Sequence, residues 1–406
     1  MNDTGLTPSS SKPATVDVSF VVPCLDEILS LKVCIAAIRE AQAAIGRTWN
    51  LACEIVIADN GSTDGSQGLA AELGARVVNV AEKGYGAALS GGFAATSGRY
   101  LVMGDADGSY DFREATAMVG ALIDGADLCM GSRFKGAIRP GAMPWKNRYI
   151  GNPLLTGLLN LLFGARISDA HCGLRALTRA CYERLNLAGS GMEFASEMVI
   201  KAALLGETIV ERPATLAPDL RDRPPHLRPW RDGWRHLRYL FMLSPAWLFA
   251  IPGAALGGAG VTILAFAIWH AAFDSADTFF FGNYWVVLAG VLIALGHIAG
   301  ILAGASHLQG VRAGYRRERP WMTQMARWVT LESMIITGVA LVAAGLGVLA
   351  WLLAAHAAGS PAFGDSVLPV VIGALLMSLG AQNILGGFLL AIIGGNEARF
   401  LERPEA

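Results

Sequence analysis

Asp105-Ala-Asp107 places two carboxylates on one side of an extended segment, because side chains alternate along a strand with period two. A hard divalent cation such as Mg²⁺ or Mn²⁺ is held by a carboxylate or two, completed by substrate phosphates and water. The tripeptide is common and by itself reads as readily as a solvated acidic turn. Its setting, after the apolar Val102-Met103-Gly104 and before Tyr110-Asp111-Phe112, favours the metal. Asp59 closes a second apolar run and opens Asp59-Asn-Gly-Ser-Thr-Asp-Gly65, where its carboxylate can accept hydrogen bonds from a nucleoside base or ribose. Gly61 and Gly65 permit close approach, while Ser62, Thr63 or Asp64 can cap the following helix. Gly84-Tyr-Gly86 lacks the third glycine of a dinucleotide fingerprint, Leu89 standing in its place, which excludes a nicotinamide site.

Four short β-branched runs position these residues, at 18–22, 54–58, 76–80 and 100–103, with helical patterns such as 30–44 and 66–73 between them. Alternating strand and helix predicts right-handed crossovers and a mostly parallel sheet covered on both faces. Ligands of such sheets bind beyond the carboxyl ends of the strands. Those ends carry Pro23-Cys-Leu-Asp-Glu27, Asp59-Asn-Gly-Ser-Thr-Asp-Gly65, Lys83-Gly-Tyr-Gly86 and Asp105-Ala-Asp107.

The 406 residues are 53% hydrophobic and 16% charged, with mean hydropathy +0.43, which excludes disorder, collagen-like repeats and an ordinary soluble enzyme. Lys and Arg (32) nearly cancel Asp and Glu (33), so no global field would hold nucleic acid. Four apolar runs, at 246–270, 284–307, 334–355 and 368–395, each reach the roughly 20 residues that cross a bilayer. The second connection carries Arg312, Arg316, Arg317, Arg319 and Arg327, whereas the first and third contain no Lys or Arg. By the positive-inside rule that connection is expected to be cytoplasmic, and with it the N-terminal domain and the tail 396–406. Residues 1–17, polar and rich in Ser, Thr and Pro, are expected to form a disordered tail and not a signal peptide. The Arg- and Trp-rich residues 228–245 read as an interfacial amphipathic segment. Gly257, Gly258 and Gly260 would allow close helix packing, in the monomer or a homo-oligomer, and Gln382 and Asn383 read as helix-to-helix hydrogen bonds. The six cysteines form no C-x-x-C pair and read as reduced thiols.

On these motifs residues 18–243 resemble a family 2 glycosyltransferase of GT-A fold, of the dolichyl- or polyprenyl-phosphate mannose or glucose synthase-like branch. The resemblance continues through Gly131-Ser-Arg133-Phe, Arg148 with Asn152, and Ser168-Asp169-Ala-His-Cys-Gly173-Leu-Arg175. It implies an α/β GT-A catalytic domain (Rossmann-like, mostly parallel sheet) over 18–227, followed by an all-α domain of four transmembrane helices. Glu27 and Asp59 would hold the nucleotide, and Asp105 and Asp107 the metal, Mg²⁺ or Mn²⁺, that bridges the diphosphate. With the strand-end positions, the expected nucleotide-sugar contacts are Pro23, Glu27, Asp59, Gly61, Lys83, Gly84, Asp105 and Ala106. The resemblance places Arg133, Arg148, Asn152, Arg221 and Arg223 about an acceptor phosphate, and makes Asp105, Asp107, Arg133 and Asp169 the catalytic set. Arginine suits that task independently, since its planar fork binds phosphate in bidentate fashion and keeps its charge. The chain departs from the pattern at Gly108, where relatives often carry a side chain. His171 reads as a structural hydrogen-bonding residue, and Glu193 and Glu197, four apart on one helix face, as groups that orient an arginine or face the acceptor.

The implied reaction moves a hexose from a GDP-mannose or UDP-glucose type donor to a polyprenyl or dolichyl phosphate. That oxygen is already anionic, so in-line attack with inversion needs no general base. The four apolar runs and the arginine-bearing connection make the chain a multi-pass protein, expected in a bacterial or archaeal cell membrane. A processive polysaccharide synthase is the first alternative, through Gln324-Met-Ala-Arg327-Trp328, but two spans precede that motif and Ser196-Glu197-Met198 lacks the Asp of T-E-D. A non-catalytic scaffold or lipid translocator is the second, and retention of both Asp105 and Asp107 argues against it.

Overall fold

The computed structural model describes residues 16–221, 229–273, 282–318, 324, 327–358, 366–396 and 400, with the side chains of 229–232 left aside. The first 15 residues, Arg223 and most of the tail 396–406 lie outside the described residues. The chain divides into two compact units, Met1–Leu240 and Phe241–Ala406.

In the first unit seven strands, β1 Val18–Cys24, β2 Cys53–Asp59, β3 Arg76–Asn79, β4 Tyr100–Met103, β5 Leu128–Ile138, β6 Arg175–Thr178 and β7 Ile209–Leu216, form one sheet. Their order is β3-β2-β1-β4-β6-β5-β7, and every pairing is parallel except those of β6. Central strands buried on both faces need continuous apolar runs, and Val18, Phe20, Val21, Val22, Val56 and Ile57 supply them. Helix α1, Ile28–Trp49, buries Leu31, Cys34, Ile35, Ile38, Ala41 and Ile45, a stripe at helical spacing. Around it come α2 Ser66–Glu72, α3 Tyr85–Ala94, α4 Ala115–Ile123, α5 Asn152–Phe163, α6 Arg179–Leu185 and α7 Glu193–Leu205. Helix α8, Pro229–Met242, follows β7 in the chain. The β5–β7 ladder shifts register between Ser132 and Ala137, so Arg133 to Gly136 sit in an irregularity that frees the Arg133 side chain from the sheet's alternation.

The second unit holds four helices long and apolar enough to cross a membrane, Ala246–Phe273, Asn283–Arg312, Leu331–Ala357 and Leu368–Ile393. The first includes α9, Ile251–Phe273, and the others are α10, α11 and α12. Helix α9 packs on α10, α10 on α12, and α12 on α11. Gly257 and Gly260 face α10, where a Cβ at Gly260 would meet the Ala289 carbonyl, while Gly258 has no neighbour within 4 Å among the described residues. Gln382 and Asn383 pin α12 to two different helices. His297 Nδ1 lies 2.9 Å from Gln382 Oε1, and Asn383 Nδ2 donates to Thr337 Oγ1 at 3.2 Å. Gln382→Leu is therefore expected to cost about 1 kcal/mol of helix association and to lower the melting temperature in detergent without changing the sheet domain. An unchanged melting temperature would show the bond to be idle.

Candidate active site

The ends of β1, β2 and β4 bring three loops together. Asp59, 1% exposed, accepts hydrogen bonds at Oδ2 from Gly61 N (2.9 Å), Ser62 N (3.1 Å) and Gln67 Nε2 (2.6 Å). Burial pushes its carboxyl up, but the bonds from Ser62, Gln67 and Gly61 outweigh that and hold it below the usual carboxylate range. Asp59 thus shapes the loop it opens. That loop caps two helices rather than one: Asp64 accepts from Ser66 N at the start of α2 and from Ile28 N at the start of α1, both at 2.9 Å. Pro23 is half-buried near the end of β1, paired with Ala58.

Lys83 and Gly84 are both held by Asn60, the first at its carbonyl and the second at its side chain. Lys83 Nζ donates to the Asn60 carbonyl at 2.6 Å, and a side chain at Gly61 would run into that ammonium. Asn60 Oδ1 accepts from Gly84 N at 2.8 Å, a role the sequence reading missed. Gly84 has φ +137°, and a Cβ there would strike the Ser190 carbonyl. Gly84→Ala is expected to destabilise the fold by about 1–3 kcal/mol, through backbone strain and that collision, read as a lower melting temperature. A wild-type melting temperature would sink this account.

Asp105 and Asp107 follow β4 as expected. Tyr85 Oη, from α3, donates to Asp105 Oδ1 at 3.0 Å, and Oδ2 receives no hydrogen bond among the described residues. Burial and then the charge of Asp107 push the Asp105 carboxyl up, to about 6. Asp107 Oδ1 accepts from Ser109 N (2.9 Å) and Ser109 Oγ (2.6 Å), and its Oδ2 lies 3.2 Å from Arg221 Nη2. Arg221 also pairs with Glu27 Oε1, Nε and Nη2 both at 2.8 Å. Ala106 is buried between the two aspartates. Gly108 has φ +77°, and Leu220 packs where its Cβ would be, which accounts for glycine at this position. A cleft of about 230 Å³ beside these groups is lined by Asp26, Glu27, Ser30, Asp64 and Arg221.

Two mutually repelling carboxylates, Asp105 half-buried and hydrogen-bonded through Oδ1 to Tyr85, and Asp107 buried beside it, fit a hard cation better than they fit each other. No group of three His, Cys, Asp or Glu side chains suited to a metal occurs among the described residues, so phosphate oxygens and water would complete the shell.

Arg133 is not free to gather with the other arginines. Its Nε and Nη2 grip Asp169 Oδ2 and Oδ1 at 2.6 and 2.7 Å, and the pair is buried. Burial would push the Asp169 carboxyl up, but the Arg133 guanidinium holds it below the usual carboxylate range. Glu211 on β7 accepts from Ser168 N and Asp169 N at 2.7 and 3.2 Å and so fixes that loop, another role the sequence reading missed. Arg148 lies over the Tyr149 ring, and Asn152 Nδ2 contacts Met143 Sδ at 3.4 Å; neither bonds Arg133 or Arg221 among the described residues. Arg175, wholly buried, is spent on the carbonyls of Cys172, Ala170 and Ala195.

Glu197 accepts from Gly189 N (2.7 Å) and pairs with Lys201 (2.7 Å), and Glu193 accepts from Gly191 N (3.0 Å). Both carboxylates therefore hold the loop before α7 instead of orienting an arginine. His171 is buried beside His236, which hydrogen-bonds Ser196 at 2.8 Å; burial, then His236, drives the His171 pKa down to about 3, so it stays neutral and carries no proton at pH 7 beyond its own N–H.

A family model described as Glycosyl transferase family 2 matches residues 19–185, and one described as Glycosyltransferase family 2 C-terminal transmembrane region matches residues 304–394. The low-salt glycan biosynthesis hexosyltransferase Agl6 of Haloferax volcanii is 34% identical over 383 residues, 93% of this chain and 89% of that protein. A dolichyl-phosphate hexose transferase of the same organism is 31% identical over 178 residues, 44% of this chain and 75% of that protein. The crystal structure of glucosyl-3-phosphoglycerate synthase from Mycobacterium tuberculosis with Mn²⁺, UDP and phosphoglyceric acid aligns with TM-score 0.41 and 23% identity, over 57% of this chain and 78% of that one.

Proposed function

Because this chain belongs to glycosyl transferase family 2 and carries that family's transmembrane region, we propose that it moves a hexose from a nucleotide sugar to a polyprenyl or dolichyl phosphate. The observation that carries the reading is the carboxylate group at the ends of β1 and β4, where Glu27, Asp105 and Asp107 stand around one arginine. The name of the dolichyl-phosphate hexose transferase supports the lipid acceptor, and the long match to a hexosyltransferase supports the sugar.

Asp105 and Asp107 would hold Mg²⁺ or Mn²⁺, which when bound offsets charge on a leaving diphosphate. Glu27 faces the cleft, and Asp59 and Asn60 hold the loops beside it in place. The acceptor's phosphate oxygen is anionic at neutral pH, so no side chain need remove a proton, consistent with a His171 that stays neutral in the interior. Arg221 is the arginine best placed to meet that phosphate, while Arg133 acts through Asp169 as a buried brace. Arg148, Asn152 and Arg223 keep their proposed places at the acceptor, and the arginine-rich connection 312–327 supports a cytoplasmic catalytic unit.

The test is transfer by purified protein in detergent with Mn²⁺, a polyprenyl phosphate and a panel of radiolabelled GDP- and UDP-sugars. Label in an acid-labile lipid is the expected result; label only in a high-mass or water-soluble product would overturn the acceptor. Because protons compete with the cation for Asp105, Mn²⁺ affinity is expected to be full above pH 7 and to weaken as pH falls through about 6. Affinity constant between pH 5 and 7.5 would place the cation elsewhere.

A further inference from the structure

Arg221 is placed where it must be moved before the donor site can work. Its guanidinium lies against both Glu27 and Asp107, groups 194 and 114 residues away in the chain. The backbone that delivers it is tied down: Ala217 N donates to the Ser109 carbonyl at 2.8 Å, Leu220 N to the Asp107 carbonyl at 2.9 Å, and Leu220 covers Gly108. Guanidinium keeps its charge at any working pH, so it cannot be neutralised in place and leaves these carboxylates only when another cation replaces it or an oxyanion draws it away. Without it, Asp107 would face the charge of Asp105 with no cation bonded to it among the described residues.

We propose that Arg221 is a built-in counterion of the donor site: it holds Glu27 and Asp107 until a divalent cation with its nucleotide takes over Asp107, and the released guanidinium then serves a phosphate oxyanion. This rests on the reading of Asp107 as a metal ligand. It makes donor binding the event that arms the acceptor side, so that the acceptor phosphate gains its arginine only when the sugar is present.

Mn²⁺ binding measures the exchange directly. Full-length protein in detergent is titrated with Mn²⁺ alone, without nucleotide, and free Mn²⁺ is read by electron paramagnetic resonance. Arg221→Gln and Arg221→Met are both expected to bind Mn²⁺ about tenfold tighter than wild type, since a cation is removed from contact with the ligand carboxylate. Adding Asp107→Asn to Arg221→Gln should abolish the gain. Both variants should also melt lower than wild type without metal and recover more on adding Mn²⁺, a readout that stands even for a weakened fold. Mn²⁺ binding no tighter than wild type in both variants, or a melting temperature that Mn²⁺ raises no more than in wild type, would overturn the exchange. If the gain appears but wild type labels no lipid, the transfer reading fails and the exchange stands; if wild type transfers sugar and the gain is missing, the exchange fails alone.

Discussion

Asp105→Asn is expected to reduce sugar transfer about a thousandfold while raising the melting temperature of the metal-free protein. Burial and the neighbouring Asp107 hold the Asp105 carboxyl up at about 6, above its value in an unfolded chain. A carboxyl with a raised folded pKa costs stability at any pH where it would ionise in the unfolded chain. The cost is absent below the unfolded pKa of about 4 and complete above about 6. At pH 7.5 its size is on the order of 1–3 kcal/mol. The amide that replaces the carboxylate is neutral, can still accept from Tyr85, and removes that cost. It also removes half of the proposed cation seat, and with it the offset for the leaving diphosphate. Thermal unfolding in chelator and a transfer assay on the same preparation check both halves. Transfer above a tenth of wild type would remove Asp105 from the machinery. A lower melting temperature would show the carboxylate to be stabilised by partners not recognised in the structure.

The second large effect runs the other way. Asp169→Ala is expected to destabilise the protein by about 3–5 kcal/mol, because it strands the Arg133 guanidinium in an interior where Asp169 is 0% exposed. The carboxylate also accepts from the backbone N–H groups of Arg133 and His171, at 3.0 and 3.3 Å, so the loop after α5 would loosen with it. Most of the loss is the penalty of an unpaired charge, which makes a specific demand on the double variant. Arg133→Met with Asp169→Leu should recover much of the melting temperature, since both charges leave the core together. A double variant no more stable than Asp169→Ala would refute the account. Recovered stability without recovered transfer would assign the pair to holding the site, whereas recovered transfer would make it dispensable to the chemistry.

The division of labour between sequence and tertiary structure follows the range of the forces involved. The four apolar helices were legible because insertion into a bilayer depends on the composition of about 20 contiguous residues, which needs no partner to be read. Strands β1, β2 and β4 were legible for a similar reason: buried parallel strands are continuous apolar runs, and Asp59 and Asp105 stand where those runs stop. Strands β5 to β7 escaped because they mix charge with apolar residues, as in Arg133-Phe-Lys135 and Val210-Glu-Arg212, where an irregular ladder, the buried Arg133–Asp169 pair and the half-exposed Lys135–Glu211 pair replace simple alternation. The same holds for individual side chains. Gly84 and Lys83 carried the look of a phosphate loop, yet contact with Ser190 and Asn60 decides what they do. Tyr85 and Ser109 sat inside or beside quoted motifs without signalling that they serve Asp105 and Asp107. Arginine type alone says that Arg133, Arg175 and Arg221 can bind oxyanions. Only folding assigns the first to a buried carboxylate, the second to backbone carbonyls and the third to the carboxylates of the donor site. A charge's role depends on which groups share its desolvated space, and those groups arrive from distant parts of the chain.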